Sequence, residues 1–120
     1  SRFGDYIEYH SSKDDFDIVT SKGLSQSFKV IRNIIEAFEI GLYPKINVYC
    51  EPQLGKRGLY SDISLFNGER TAKLRMDIIA YCDGVHSIFD ISEKLNINLQ
   101  SILKEINILI DERLIESKDI

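Results

Sequence analysis

The sequence contains few of the residues that mark a disulfide framework or a compact metal site. Its 120 residues include two cysteines, two histidines, two prolines and one methionine. Cys50 and Cys82 lie far apart and have no partner motif, which excludes a disulfide framework and a cysteine-based zinc knot. We expect two reduced, mostly buried thiols.

Long apolar runs and a targeting leader are also missing from the sequence. No apolar stretch approaches the length needed to cross a bilayer, and the first residues lack a basic segment followed by an apolar one. The sequence therefore predicts a cytoplasmic protein with no membrane partner. Residues 1–17 contain few aliphatic side chains and no initiator Met, so we expect them to come from the interior of a longer protein.

The overall charge is modest and negative. The formal net charge is -4, with 28% charged and 43% hydrophobic residues, which is ordinary for a globular protein of one modest domain or two small subdomains. A general nucleic-acid binder needs a basic surface to displace counterions. The charge therefore disfavours nucleic acid as a partner.

The first clear helix is predicted over residues 24–40. Its apolar residues recur at spacings of three and four, which places them on one face, and Gly41 ends the helix. The members of this stripe are Leu24, Phe28, Ile31, Ile34, Ile35 and Phe38. Residues 1–21 offer little for the stripe to cover, so we expect an upstream partner to cover it.

Residues 42–66 contain both prolines and predict a strand followed by a structured loop. Apolar and polar residues alternate over 45–50, KINVYC, as in a short strand. The loop EPQLGKRGLY follows at 51–60. The turn-forming pair Asn67-Gly68 predicts a boundary between two domains, 1–66 and 67–120.

Residues 70–120 predict a helix-turn-helix with a terminal wing. A helix over 70–84 is followed by Ser87, which with Asp90 forms a capping box for a second helix. Asn98 is the predicted cap of a third helix, and residues 113–120 read as a strand. This order predicts a mostly helical α+β fold that ends in a winged helix.

The predicted third helix does not carry the cations of a DNA-recognition helix. Residues 67–120 hold seven Lys and Arg against ten Asp and Glu, and an acidic helix repels phosphate. The charged residues of the third helix and its exit are Lys104, Glu105, Asp111, Glu112 and Arg113. A protein-docking module is therefore favoured over a DNA-binding one, and we expect His86 to be a surface or capping residue.

The stretch EYHSSKDDFD, residues 8–17, contains the other histidine. A catalytic zinc needs at least three protein ligands, and His10 is one candidate with Asp14 and Asp15 close behind it. The spacing matches no compact two-histidine zinc motif. From these residues alone, a corner of a metal site and a solvated histidine in a polar loop both remain open.

Three segments resemble a known family in the same order along the chain. FGDYIEYHSSKDD, residues 3–15, is similar to the segment near the end of the catalytic domain in zinc-dependent aminopeptidase-like proteins. EPQLGKRGLY resembles a second signature of a subgroup long described as a domain of unknown function. Residues 77–116 resemble the small winged helix at the C-terminus of these proteins.

The resemblance implies a fold, a cofactor and a reaction. The winged helix would follow the last helix and loops of an α/β zinc-exopeptidase-like domain, with His10 as the last zinc ligand and Asp14 and Asp15 holding its loop. The other ligands and the general-base Glu would lie upstream of Ser1, in a catalytic domain of the same protein. The implied reaction is metal-assisted hydrolysis of a peptide or amide substrate.

Two other functions compete with the hydrolase. One is a non-enzymatic winged-helix module that binds a protein partner or a second copy of itself, and the other is a DNA-binding regulator. The loop 51–60 also has two interpretations. It packs the catalytic domain against the winged helix, or its Lys56 and Arg57 meet a substrate carboxylate.

Overall fold

The structure is a computed structural model that describes residues 6–59 and 66–118. Residues 3–5 of the family-like segment, Tyr60 at the end of the loop and residues 119–120 of the tail lie outside the described residues. The chain divides into two compact units, Ser1–Arg32 and Asn33–Ile120. Each is described by itself.

The described part of the first unit consists of turns followed by the start of a helix. Residues 6–20 form successive turns, and helix α1 spans Ser21–Ile40. Thr20 helps to begin α1, because its side-chain oxygen accepts a hydrogen bond from the backbone N–H of Gly23 at 3.1 Å. At the far end, Gly41 has a φ of 97°, so a residue without a Cβ ends the helix as predicted.

The second unit is a mostly helical α+β fold, as the sequence predicts. After the end of α1 come strand β1 (Tyr43–Ile46), a short 3-10 helix (Leu54–Arg57) and helix α2 (Phe66–Tyr81). Helices α3 (Ile88–Leu95) and α4 (Leu99–Asp111) follow, and strand β2 (Ile115–Lys118) comes last in the described part of the chain. The apolar faces of α2, α3 and α4 meet in one core, which contains Ile78, Ile88, Ile91, Ile102, Ile106 and Leu109.

Both predicted helix caps are confirmed. The Ser87 hydroxyl accepts a hydrogen bond from the Asp90 N–H at 3.1 Å, and the Asp90 carboxylate accepts one from the Ser87 N–H at 2.8 Å. This is the reciprocal capping box of α3. At α4, the side chain of Asn98 accepts from the backbone N–H of Ser101 at 2.9 Å.

The two strands pair into an antiparallel wing. Tyr43 lies opposite Lys118, and Ile46 lies opposite Ile115. The predicted strand over 45–50 is therefore displaced towards the N-terminus, and only Lys45 and Ile46 of that range belong to β1. Pro44 is tolerated because β1 is an edge of a two-stranded sheet.

The segment before the predicted boundary at 66/67 packs together with the segment after it. Besides the strand pairing, the N–H of Ile88 donates to the carbonyl of Leu42 at 2.9 Å, and the N–H of Gly84 donates to Pro44 at 2.9 Å. Asn67 and Gly68 lie inside α2 rather than in a turn. In the structure, residues 42–59 are part of the winged-helix unit.

Candidate functional site

His10 lies in the turn-rich loop of the first unit. Its backbone has a φ of 60°, the left-handed region that few residues other than Gly adopt. Its ring is exposed and stacks on Tyr9, with 4.0 Å between the ring centroids. The imidazole is therefore accessible at the surface of this unit.

The neighbours of His10 hold its loop through short-range hydrogen bonds. The Ser11 hydroxyl donates to the Glu8 carbonyl at 2.7 Å, and the Asp15 carboxylate accepts from the N–H of Asp17 at 2.9 Å. The Tyr6 hydroxyl donates to Asp14 at 3.3 Å. Loss of hydration, followed by the charge of Asp14, raises the pKa of Tyr6. Asp14 and Asp15 are thus engaged within the loop.

The described residues do not assemble a metal site by themselves. Among residues 6–59 and 66–118, no three His, Cys, Asp or Glu side chains lie close enough together to hold a metal ion. His10 is an exposed imidazole of the type that zinc binds, but a catalytic site needs at least three protein ligands.

The loop 51–59 packs on the winged helix through apolar contacts and through two arginines. Leu54 and Leu59 are buried in the core. The Arg57 guanidinium donates to the backbone carbonyl of Glu112 at 2.6 Å and lies 3.9 Å from its carboxylate. Arg75 of α2 donates to the carbonyl of Leu59. Arg57 therefore has a structural contact that the sequence pattern did not reveal, and Lys56 is exposed.

Arg75 also forms an ion pair inside the winged helix. Its Nε donates to the carboxylate of Glu105 at 2.7 Å, and the two side chains are only 12% and 8% exposed. The sequence shows Glu105 only as one of the charges of the third helix, whereas the structure turns it towards α2 and buries it against Arg75. The exposed charges of α4 and its exit are Lys104, Asp111 and Arg113.

His86 is part of the turn that precedes α3. Its Nδ1 lies 2.8 Å from Asp83, and its ring meets the edge of Tyr81. The other oxygen of Asp83 accepts the backbone N–H groups of Val85 and His86 at 2.8 and 2.9 Å. These N–H groups, that of His86 first, lower the pKa of Asp83 to about 2. His86 therefore has the structural role expected at a cap.

The two thiols are in different environments. Cys82 is buried, and burial raises the pKa of its thiol to about 12. Cys50 is exposed, so the expectation of two mostly buried thiols was wrong for Cys50. Strand β1 ends at Ile46, before the end of the predicted strand over 45–50. Cys50 therefore lies in the loop that follows β1, where it is exposed. Both thiols are free, as predicted.

Comparison with family models identifies the second unit. A winged helix-turn-helix model matches residues 41–117. The chain belongs to the winged helix-turn-helix family. A second model, a domain of unknown function (DUF4910), matches residues 1–41, which contain His10 and α1. The winged helix thus begins where the DUF4910 match and α1 end.

One curated relative is similar to most of this chain. It is a Clostridium acetobutylicum protein named "Putative polysaccharide biosynthesis protein with aminopeptidase-like domain", 32% identical over 96 residues. The match covers 78% of this chain but only 22% of the relative. No solved structure shows a significant match. These findings confirm the predicted resemblance to aminopeptidase-like proteins with a winged helix.

No membrane-crossing helix is found in the described ranges. The helices there, of which α1 is the longest at 20 residues, are too short or too polar to span a bilayer.

Proposed function

We propose that this winged-helix chain is the C-terminal portion of a zinc-dependent aminopeptidase-like hydrolase. The observation that carries the proposal is the DUF4910 match over residues 1–41, which contain His10, together with a relative whose name includes an aminopeptidase-like domain. Zinc, when bound, supplies the Lewis acidity for hydrolysis of a peptide or amide bond. The winged helix is an accessory domain in this proposal.

In the proposed enzyme, His10 is the zinc ligand that comes last along the chain. A neutral imidazole binds zinc through one ring nitrogen, and the other nitrogen needs a partner that fixes the ring. The left-handed backbone of His10 and the stacking on Tyr9 set the direction of the ring. Asp14 and Asp15 keep the loop folded and are not proposed as ligands.

The remaining ligands are proposed to come from the preceding catalytic domain. The resemblance implies a His, then an Asp, then a Glu-Glu or Glu-Asp pair in the gene upstream of Ser1. The Asp would be a further metal ligand, and a Glu of the pair would act as the general base. A gene in which this series is missing would contradict the hydrolase.

The test of the proposal is to replace each of the two histidines in the complete gene product. His10→Ala should remove at least one bound zinc per chain and lower the hydrolysis of peptide or amide substrates by at least a hundredfold, because a ligand is lost. His86→Ala is the matched control and should keep both the zinc and the activity. Full zinc content and activity in the His10→Ala protein would reject His10 as a ligand.

The proposal places the protein in the cytoplasm. Cys50 is a free thiol on the surface, and free surface thiols persist in reducing compartments. Cell fractionation checks this placement, and recovery of the protein outside the cytoplasm would contradict it.

A second candidate function is a non-enzymatic winged-helix module that binds a protein or a second copy of itself. The charges around α4 favour it over DNA binding, because Lys104 and Arg113 lie among Asp111 and the partly exposed Glu112 and do not form a row of cations. A gel-shift assay with arbitrary duplex at low salt tests the DNA alternative. Binding that weakens steeply with added salt would establish it.

A further inference from the structure

Helix α1 carries an exposed apolar face along its length. Seven large apolar side chains on this helix are exposed, and all but Val30 belong to this face, where they are between 38% and 66% exposed: Leu24, Phe28, Ile31, Ile34, Ile35 and Phe38. Their spacing of three and four residues places them on one side of the helix. A continuous apolar strip of this kind is unusual on a protein that has no partner for it.

The last part of α1 uses a different side for the winged helix. Ala37 is completely buried in the winged-helix core, and Ile40 packs against the same core. The Glu36 carboxylate accepts a hydrogen bond from the side chain of Asn107 on α4 at 3.4 Å. At 3.6 residues per turn, Ile35 projects about 160° away from Ala37. Around Ala37 the winged helix therefore occupies one side of α1, and Phe38 at the border of that side lies 6.3 Å from Phe89 between ring centroids. Ile35 on the other side is 52% exposed.

Two comparisons indicate what covers the strip. The DUF4910 match ends at residue 41, and the winged-helix match begins there, so α1 belongs by sequence to the DUF4910 module. The aligned region is only 22% of a relative that is named for an aminopeptidase-like domain. A longer protein of this kind contains enough additional chain to bury the strip.

We propose that the apolar face of α1 is the docking surface for the aminopeptidase-like domain of the same polypeptide. One side of α1 then belongs to the winged-helix core, and the opposite side packs on the aminopeptidase-like domain. The proposal rests on the placement of this chain in a longer aminopeptidase-like protein. It does not depend on zinc or on the role of His10.

The test compares this 120-residue chain with the complete gene product, each in three forms. The forms are the wild type, the double variant Phe28→Gln with Ile31→Gln, and the control Lys29→Gln, which changes an exposed polar residue of the same helix. An environment-sensitive naphthalene sulfonate dye reports exposed apolar surface. Protease cleavage within residues 21–32 reports whether α1 is protected.

The expected pattern differs between the two proteins. The wild-type 120-residue chain should bind the dye, and the double variant should lose at least half of the signal. The wild-type complete protein should bind little dye, and its double variant should be cleaved within 21–32 at least tenfold faster than the wild type. Lys29→Gln should behave as wild type in both proteins.

Two results would overturn the proposal. One is a complete protein whose double variant is cleaved no faster than the wild type. The other is a dimer of the complete protein that the double variant converts to a monomer, because a second copy would then cover the strip. Zinc content separates this inference from the proposed function. Cleavage within residues 21–32 tests docking alone, whereas failure of the hydrolase proposal shows as no zinc in the wild type and leaves the cleavage result unchanged.

Discussion

Arg75 and Glu105 form an ion pair of 2.7 Å between α2 and α4, largely shielded from water. Arg75 also donates to the carbonyl of Leu59. One side chain therefore joins α2, α4 and the loop that precedes α2. That contact and the buried Leu54 and Leu59 hold the loop 51–59 against the winged helix.

Removal of one partner of this pair should destabilise the winged helix strongly. Arg75→Met leaves the Glu105 carboxylate without its partner in a nearly dry site, which typically costs about 3–5 kcal/mol. The double variant Arg75→Met with Glu105→Leu should recover most of this loss. Urea unfolding measures both, and a single variant within about 0.5 kcal/mol of wild type would show that the pair contributes little.

The capping box of α3 should contribute a smaller amount of stability. Ser87→Ala removes the hydroxyl that accepts the Asp90 N–H, and loss of such a cap costs about 1 kcal/mol. Gln100→Ala changes an exposed residue in the first turn of α4 and serves as the control, with an expected change near zero. Equal stability of both variants in thermal unfolding would argue against the cap.

The turn at Asp83 should make stability depend on acid pH. The pKa of Asp83 is about 2 in the folded chain against an ordinary value of 3.8. Since the folded pKa is the lower one, the charged carboxylate stabilises the fold above about pH 4, and this contribution is lost as the pH falls towards 2. Asp83→Asn should destabilise the chain at pH 6 and much less at pH 2. A difference that does not change with pH would contradict this role.

The two cysteines should differ in reactivity. Cys50 is exposed, whereas Cys82 is buried with a pKa of about 12, and the thiolate is the reactive form. At pH 8, iodoacetamide should modify one thiol in the folded chain and two in urea. Mass spectrometry should find the first label on Cys50. Rapid labelling of Cys82 without denaturant would mean that the core opens readily.

Local patterns predicted the elements of the winged helix well. Ser87, Asp90 and Asn98 mark helix starts through hydrogen bonds with residues three positions away, so their roles are visible in the sequence. Gly41 likewise marks the end of α1. The order of helices and the wing followed from these signals and from apolar spacing.

Contacts between distant residues could not be predicted in the same way. The pairing of Tyr43–Ile46 with Ile115–Lys118 joins segments about 70 residues apart, and it holds residues 42–59 in the winged-helix unit. The ion pair of Glu105 could not be read from the sequence because its partner Arg75 is 30 residues away. The described residues supply no further metal ligands beside His10, so its role stays a prediction.

The central claim is that His10 binds zinc in the complete protein. The most direct measurement is a crystal structure of that protein with anomalous data on both sides of the zinc absorption edge. The account predicts an anomalous peak about 2.0–2.1 Å from a ring nitrogen of His10. A zinc site completed by other residues, with the His10 ring turned to solvent, would contradict it.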